Sequence, residues 1–214
     1  MVLSDEHKGE LLDPLVQRVD ELRTLLRQVD PVSLASRTGS IYHPAGDGEG
    51  EFRLPVWGQE VRVTYPDFLA YDADKGVPLG TFIDALLAYY YHLSDGTPLS
   101  GEWIAFSDLP DGTFYAQAFQ GYTGRELGVV FGNDSEAFTQ AAESLGGRRE
   151  FFGNLAYSYQ VLPRVALMVV CWLGDEDFPP SYRVLFDSAA SHHLTTDVCA
   201  IVGSNLTRRL IRAR

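Results

Sequence analysis

Apolar residues at 15, 19, 22, 26 and 29 follow alternating steps of four and three through DPLVQRVDELRTLLRQVD. That spacing sets them along one side of a helix. Asp13 suits its cap and Pro14 its first position, and Asp30-Pro31 stops it. Residues 1–30 are thus read as carrying an N-terminal amphipathic helix, and residues 31–214 as a single α+β domain. The same spacing fits a coiled-coil seam. With only about two heptads, docking onto the chain's own domain is the expected outcome.

The period changes several times afterwards. SRTGSIYHPAGDGEG is polar and glycine-rich and reads as loop. EFRLPVWGQEVRVTYP alternates, with Phe52, Leu54 and Val56 facing one way and Val61, Val63 and Tyr65 returning. This predicts a β-hairpin, with Pro55 assigning it to a sheet edge. LGTFIDALLAYYYHL over 79–93 is a helix whose core stripe includes Leu86, Leu87 and Tyr90. Tyr89, Tyr91 and His92 flank that stripe, where half-burial is expected. SDGTPLSGEW is a connector, WIAF a short strand and TFYAQAFQGY a short helix. GNDSEAFTQAAESLGG is a capped helix stopped by two glycines.

RREFF, AYSYQVL, VALMVVCWL and YRVLFD then predict four antiparallel strands in a meander. VALMVVCWL does not alternate, which places it centrally with both faces buried. A last helix is expected from Thr196 to Arg212, with Val198, Ile201, Val202, Leu206 and Leu210 inward. The fold class is α+β: a mainly antiparallel sheet, with an N-terminal hairpin and a C-terminal four-strand meander, and helices packed on it.

Composition narrows the partners. The net charge of −12 disfavours the phosphate backbone of nucleic acid. The arginines of TRRLIRAR are cations suited to a helix C-terminus. The longest apolar run, 165–173, is nine residues, short of the roughly 20 a membrane-spanning helix needs. The N-terminus lacks the pattern of a secretory signal, so no membrane and a cytoplasmic location are expected. Cys171 and Cys199 cannot build a disulfide framework or a four-thiolate cluster, and both sit in apolar surroundings.

Candidate chemistry concentrates in FDSAASHHLTTDVC, residues 186–199. Asp187, His192, His193 and Asp197 lie there, between a strand end and a helix start, where binding groups often collect. Adjacent histidines in a strand diverge, so joint metal binding by His192 and His193 needs loop geometry. Thr195, Thr196 and Asp197 also suit a helix cap and its first turn. Glu102-Trp103 sets an acid beside an aromatic wall. GDEDF over 174–178 offers carboxylates, with the spacing of a hairpin tip rather than a calcium loop. The sequence has no glycine-rich phosphate loop, no G-x-S-x-G elbow and no C-x-x-C.

Four blocks carry a family resemblance: GTPLSGEWIAFSDLPDG, the FGND-to-SLGG helix, LPRVALMVVCWLGDEDFPPS and VLFDSAASHHLTTDVCAIVG. Together, from about residue 28 to the end, they resemble the DUF3786 family, a domain of unknown function in bacteria and archaea, largely anaerobes. Some members carry a cysteine-rich segment and are described as iron–sulfur proteins. This chain has no such segment, so no iron–sulfur cluster is expected within it. Where the family more often reads S-x-Y-L-P-T-D, this chain has Ser191-His192-His193-Leu194-Thr195-Thr196-Asp197. Asp187 and Asp197 fit the family pattern better than the histidines do.

Three functions are compatible with these features. The first is a module binding a small molecule or cofactor, a tetrapyrrole or corrinoid among the options, near Glu102-Trp103 and the 187–197 loop. The second is an acid–base or metal-assisted enzyme using Asp187, His192 or His193, and Glu102. The third is a protein that docks an iron–sulfur or corrinoid partner through its N-terminal helix.

Overall fold

A computed structural model of the chain describes residues 14–214; the expected cap at Asp13 lies outside the described residues. Helix α1, Pro14–Leu26, buries Val19 and Leu22 against Ala85 and Ala88 of α3, Thr81–Leu93. The contact is fixed laterally by Arg23, which pairs with Asp84 at 3.1 Å and donates to the Phe68 carbonyl. Asp30 ends this helical stretch and caps the next. Its carboxylate accepts the Ser33 N–H at 2.8 Å at the start of α2, Pro31–Thr38.

The stretch expected to be loop holds the end of α2 and a strand, β1, Ile41–Gly46. β1 has no buried position, so no apolar alternation announces it; backbone pairing with β2, Glu49–Val56, holds it in place. β3, Gln59–Tyr65, and β4, Ala70–Asp72, complete a four-stranded sheet in the order β1-β2-β3-β4. Asp47-Gly48 and Trp57-Gly58 are two-residue turns with both φ values positive, matching the twist of the strands they join. Pro55 is on an edge only locally. It lies beyond Arg53, the last β2 residue with a partner in β1. Phe52, Leu54, Val56, Val61 and Val63 face the core. Tyr91 is fully buried rather than flanking, because this sheet covers it: its ring centroid is 4.9 Å from that of Phe52.

The second sheet is the expected meander with one strand added. Its order is β5-β9-β8-β7-β6, with β5 Trp103–Ala105, β6 Arg148–Glu150, β7 Leu155–Leu162, β8 Val165–Trp172 and β9 Ser181–Asp187. β8 is central, and both its faces are packed. Leu167, Val169 and Cys171 join the main core, while Met168 and Val170 pack with Ala156 and Leu185 under Trp103, Ala105 and Trp172. The hairpin tip of the first sheet meets the second through the Trp57 N–H, which donates to the Val161 carbonyl at 2.9 Å.

Helices cover the main-core side: α4 Ala116–Tyr122, α5 Gly124–Phe131, α6 Ser135–Ser144 and α7 Thr196–Arg212. Asp134 caps α6 and Thr195 caps α7. α7 buries Val198, Val202, Leu206 and Leu210 as expected, but Ile201 is 51% exposed. At 100° per residue, position 201 lies about 120° from the middle of that stripe, and buried Cys199, Gly203 and Thr207 widen the stripe on the side away from it, so its side chain turns outward. Among the described residues no helix is long and apolar enough to cross a membrane.

Candidate functional site

The 187–197 segment leaves β9 as a short 3-10 turn over Ser188–His192, and the 94–101 connector lies across it. Asp187 is 1% exposed and its carboxylate is saturated. Oδ1 accepts from the Ser100 N–H at 3.0 Å, the Ser100 hydroxyl at 2.9 Å and the Ala189 N–H at 2.9 Å; Oδ2 accepts from the Gly101 N–H at 2.8 Å. The Ser188 N–H donates to the Glu102 carbonyl at 2.8 Å, closing the same junction. Burying a carboxylate is costly unless it is hydrogen-bonded in this way.

His193 is fully buried and joins the other end of the connector. Its Nε2 lies 2.9 Å from the Thr97 carbonyl, which can only accept, so Nε2 carries the proton. Nδ1 then accepts from the Ser94 hydroxyl at 3.1 Å. Burial lowers the His193 pKa, outweighing the Thr97 contact and Asp95, which raise it. The folded state therefore binds a proton less readily than the unfolded chain. Its stability is fully present above the ordinary histidine value of 6.5 and declines as pH falls through it. We expect His193→Ala to cost about 3 kcal/mol, from the cavity and the orphaned Thr97 and Ser94 groups. His193→Gln, which keeps a donor for Thr97, should flatten the fall of Tm between about pH 7.5 and 5.5. Thermal melts of the three proteins across that range check both.

His192 points elsewhere. It is half exposed, with Nδ1 2.7 Å from Asp95 Oδ2 and 3.3 Å from Thr97 Oγ1. The Thr97 backbone N–H, followed by His192, holds the Asp95 carboxyl well below its usual range. The two imidazole centroids are 6.4 Å apart. Among the described residues no group of three or more His, Cys, Asp or Glu side chains is arranged to hold a metal ion. Both thiols are buried, and burial pushes Cys199 up to about 12 and raises Cys171 as well. In the GDEDF loop, Asp175 Oδ1 accepts the N–H groups of Asp177 and Phe178 and so shapes the loop.

The remaining candidates divide between two hollows. Trp103 pairs with Asp187 across β5 and β9, and both border a hollow of 560 Å³ with Ser100, Arg148 and Gln160. Glu102 is exposed beside it. Asp197 lies in the first turn of α7, at a larger cleft of 670 Å³. The outward stripe of α7, Asp197, Ile201, Ser204 and Arg208, forms one side, with Ala200 and Asn205 beside it. Phe82 of α3, and Tyr115 and Tyr122 at the two ends of α4, form the other. The tyrosine centroids are 6.1 Å apart, and burial pushes the Tyr122 pKa up to about 12. The Thr196 hydroxyl donates to the Pro110 carbonyl at 2.6 Å, fixing the start of α7 against the loop before α4.

Of the expected site residues, then, only Asp197 borders this cleft. Phe82, Tyr115, Tyr122 and Asn205 carry no site signal in the sequence, and Arg208 reads there as one of the cations at a helix end. One signal was present in the sequence: an apolar residue, Ile201, on the polar side of α7.

The fold and these hollows define an α+β domain with an aromatic-walled surface cleft. The sequence matches a family described as a domain of unknown function, DUF3786, over residues 30–209, and the chain belongs to that family. The match begins after α1. No curated protein and no solved structure matches.

Proposed function

We propose that the protein is a small-molecule binding module whose ligand occupies the α7 cleft. One observation carries this reading: 670 Å³ of concave space in which three aromatic rings face a helix stripe bearing Asp197, Ser204 and Arg208, with Asn205 beside it. Ligand sites are typically a few hundred to about 1,000 Å³, largely apolar, with a few polar groups that fix orientation. The acid–base alternative draws less support, since the polar atoms of Asp187 and His193 are engaged within the chain. Docking of a partner through α1 must contend with the packing of Val19 and Leu22 against α3.

Dansylamide, a neutral fluorophore that brightens in apolar surroundings, is a suitable probe. We expect saturable binding at about one equivalent, weakened at least about tenfold by Ser204→Trp, which fills the cleft from its helical side. Unsaturable binding, or equal affinity for the two proteins, contradicts the proposal.

A further inference from the structure

Asp197 and Arg208 stand eleven positions apart on the outward side of α7, about 16 Å along the helix axis. Both are exposed, and neither belongs to an ion pair among the described residues. Between them lie Ile201 and Ser204, and across the cleft the tyrosine pair. The cleft therefore carries an acid at one end and a base at the other, with Ile201 and the tyrosine rings as its apolar surface between them. Each charge also suits the helix dipole, acid near the N-terminus and base near the C-terminus. That explains their signs; both also line the same cleft as three aromatic rings.

We infer that the ligand is an elongated amphoteric molecule with a flat apolar body. Its cationic group lies toward Asp197 and its anionic group toward Arg208. This rests on the cleft being the ligand site. The arrangement orients the ligand: reversing it would set like charges together at both ends, and charge complementarity of this kind governs specificity more than raw affinity. It also answers how a chain of net charge −12 can accept an anionic group, since Arg208 offers it a local partner at the far end from Asp197.

Three probes that share one fluorophore separate the possibilities: dansylamide is neutral, dansylglycine anionic and dansylcadaverine cationic. Each is titrated into the full chain and into Arg208→Gln and Asp197→Asn, at low and high salt. Arg208→Gln should weaken dansylglycine about five- to tenfold and leave dansylcadaverine unweakened, and Asp197→Asn should do the reverse. Both losses should shrink at high salt. Circular dichroism melts of the two variants establish that α7 is intact. If dansylamide binds while the charged probes ignore both substitutions, or respond equally to each, the inference is overturned and the cleft reading stands. If none of the three probes binds saturably, both fall together.

Discussion

Asp187→Ala should destabilise the protein by about 4 kcal/mol, because it removes a buried carboxylate and leaves its donors without an acceptor. Three of those donors are backbone N–H groups, of Ser100, Gly101 and Ala189, and the fourth is the Ser100 hydroxyl. The three N–H groups cannot be withdrawn without opening the junction between the 94–101 connector and the end of β9, whereas the hydroxyl can turn toward Ser188 Oγ, 2.9 Å away. For a chain of this length the loss corresponds to a fall in Tm on the order of 10 °C. Asp187→Asn preserves the volume and should recover part of the loss: its amide oxygen can keep the three donors of Oδ1, while its NH2 replaces Oδ2 and meets the Gly101 N–H, donor against donor. Thermal melts decide the matter: a Tm within about 2 °C of wild type for Asp187→Ala shows that the junction does not depend on this carboxylate.

The second large effect concerns a glycine. Gly124 opens α5 where that helix meets β9. A methyl group there would overlap the Tyr182 carbonyl oxygen and the Gln120 amide that donates to it at 2.8 Å. The obstacle is backbone, which cannot rotate aside. Gly124→Ala should cost about 3 kcal/mol, as overpacking that pushes α5 off the sheet. Gly121, three residues earlier in α4, is the matched control, since a methyl group there meets nothing within 4 Å. Gly121→Ala should instead stabilise by up to about 1 kcal/mol through helix propensity. Chemical denaturation of the pair measures both signs, and similar midpoints for the two variants would refute the close approach of α5.

Much of the second sheet was legible because its physics is written locally. β8 has no alternation because both its faces are packed. α6 and α7 carry caps, Asp134 and Thr195, directly before their apolar stripes. β1 was hidden for the opposite reason: a strand with no buried side chain has no hydrophobic period to read. α2 lies partly within a stretch whose polar composition resembles loop, and Asp30-Pro31 marks the end of one helix as readily as the cap of the next.

The candidate residues show a related limit. The chemistry of Asp187 marked it as important, yet its partners Ser100 and Gly101 lie 87 and 86 residues away in the connector SDGTPLSG, which has no apolar period. Sequence pattern carries no sign of that pairing. His192 and His193 are adjacent in the chain and serve different surroundings, one half exposed beside Asp95 and one sealed between Ser94 and Thr97. The α7 cleft draws on three segments, at 82, 115–122 and 197–208, none of which is distinctive alone. Ile201 passed for a core residue because apolarity at a helical position normally means burial.

Binding of a small molecule against the outward side of α7 can be tested at the five isoleucines of the chain. Ile201 borders the cleft, Ile41 lies on the exposed strand β1, and Ile104 lies on β5 in the second sheet. With their δ methyl groups labelled with carbon-13, an NMR titration with dansylamide reports each position separately. The Ile201 methyl signal should move progressively to saturation while those of Ile41 and Ile104 hold still. A static Ile201 signal, or equal movement at all three, contradicts it.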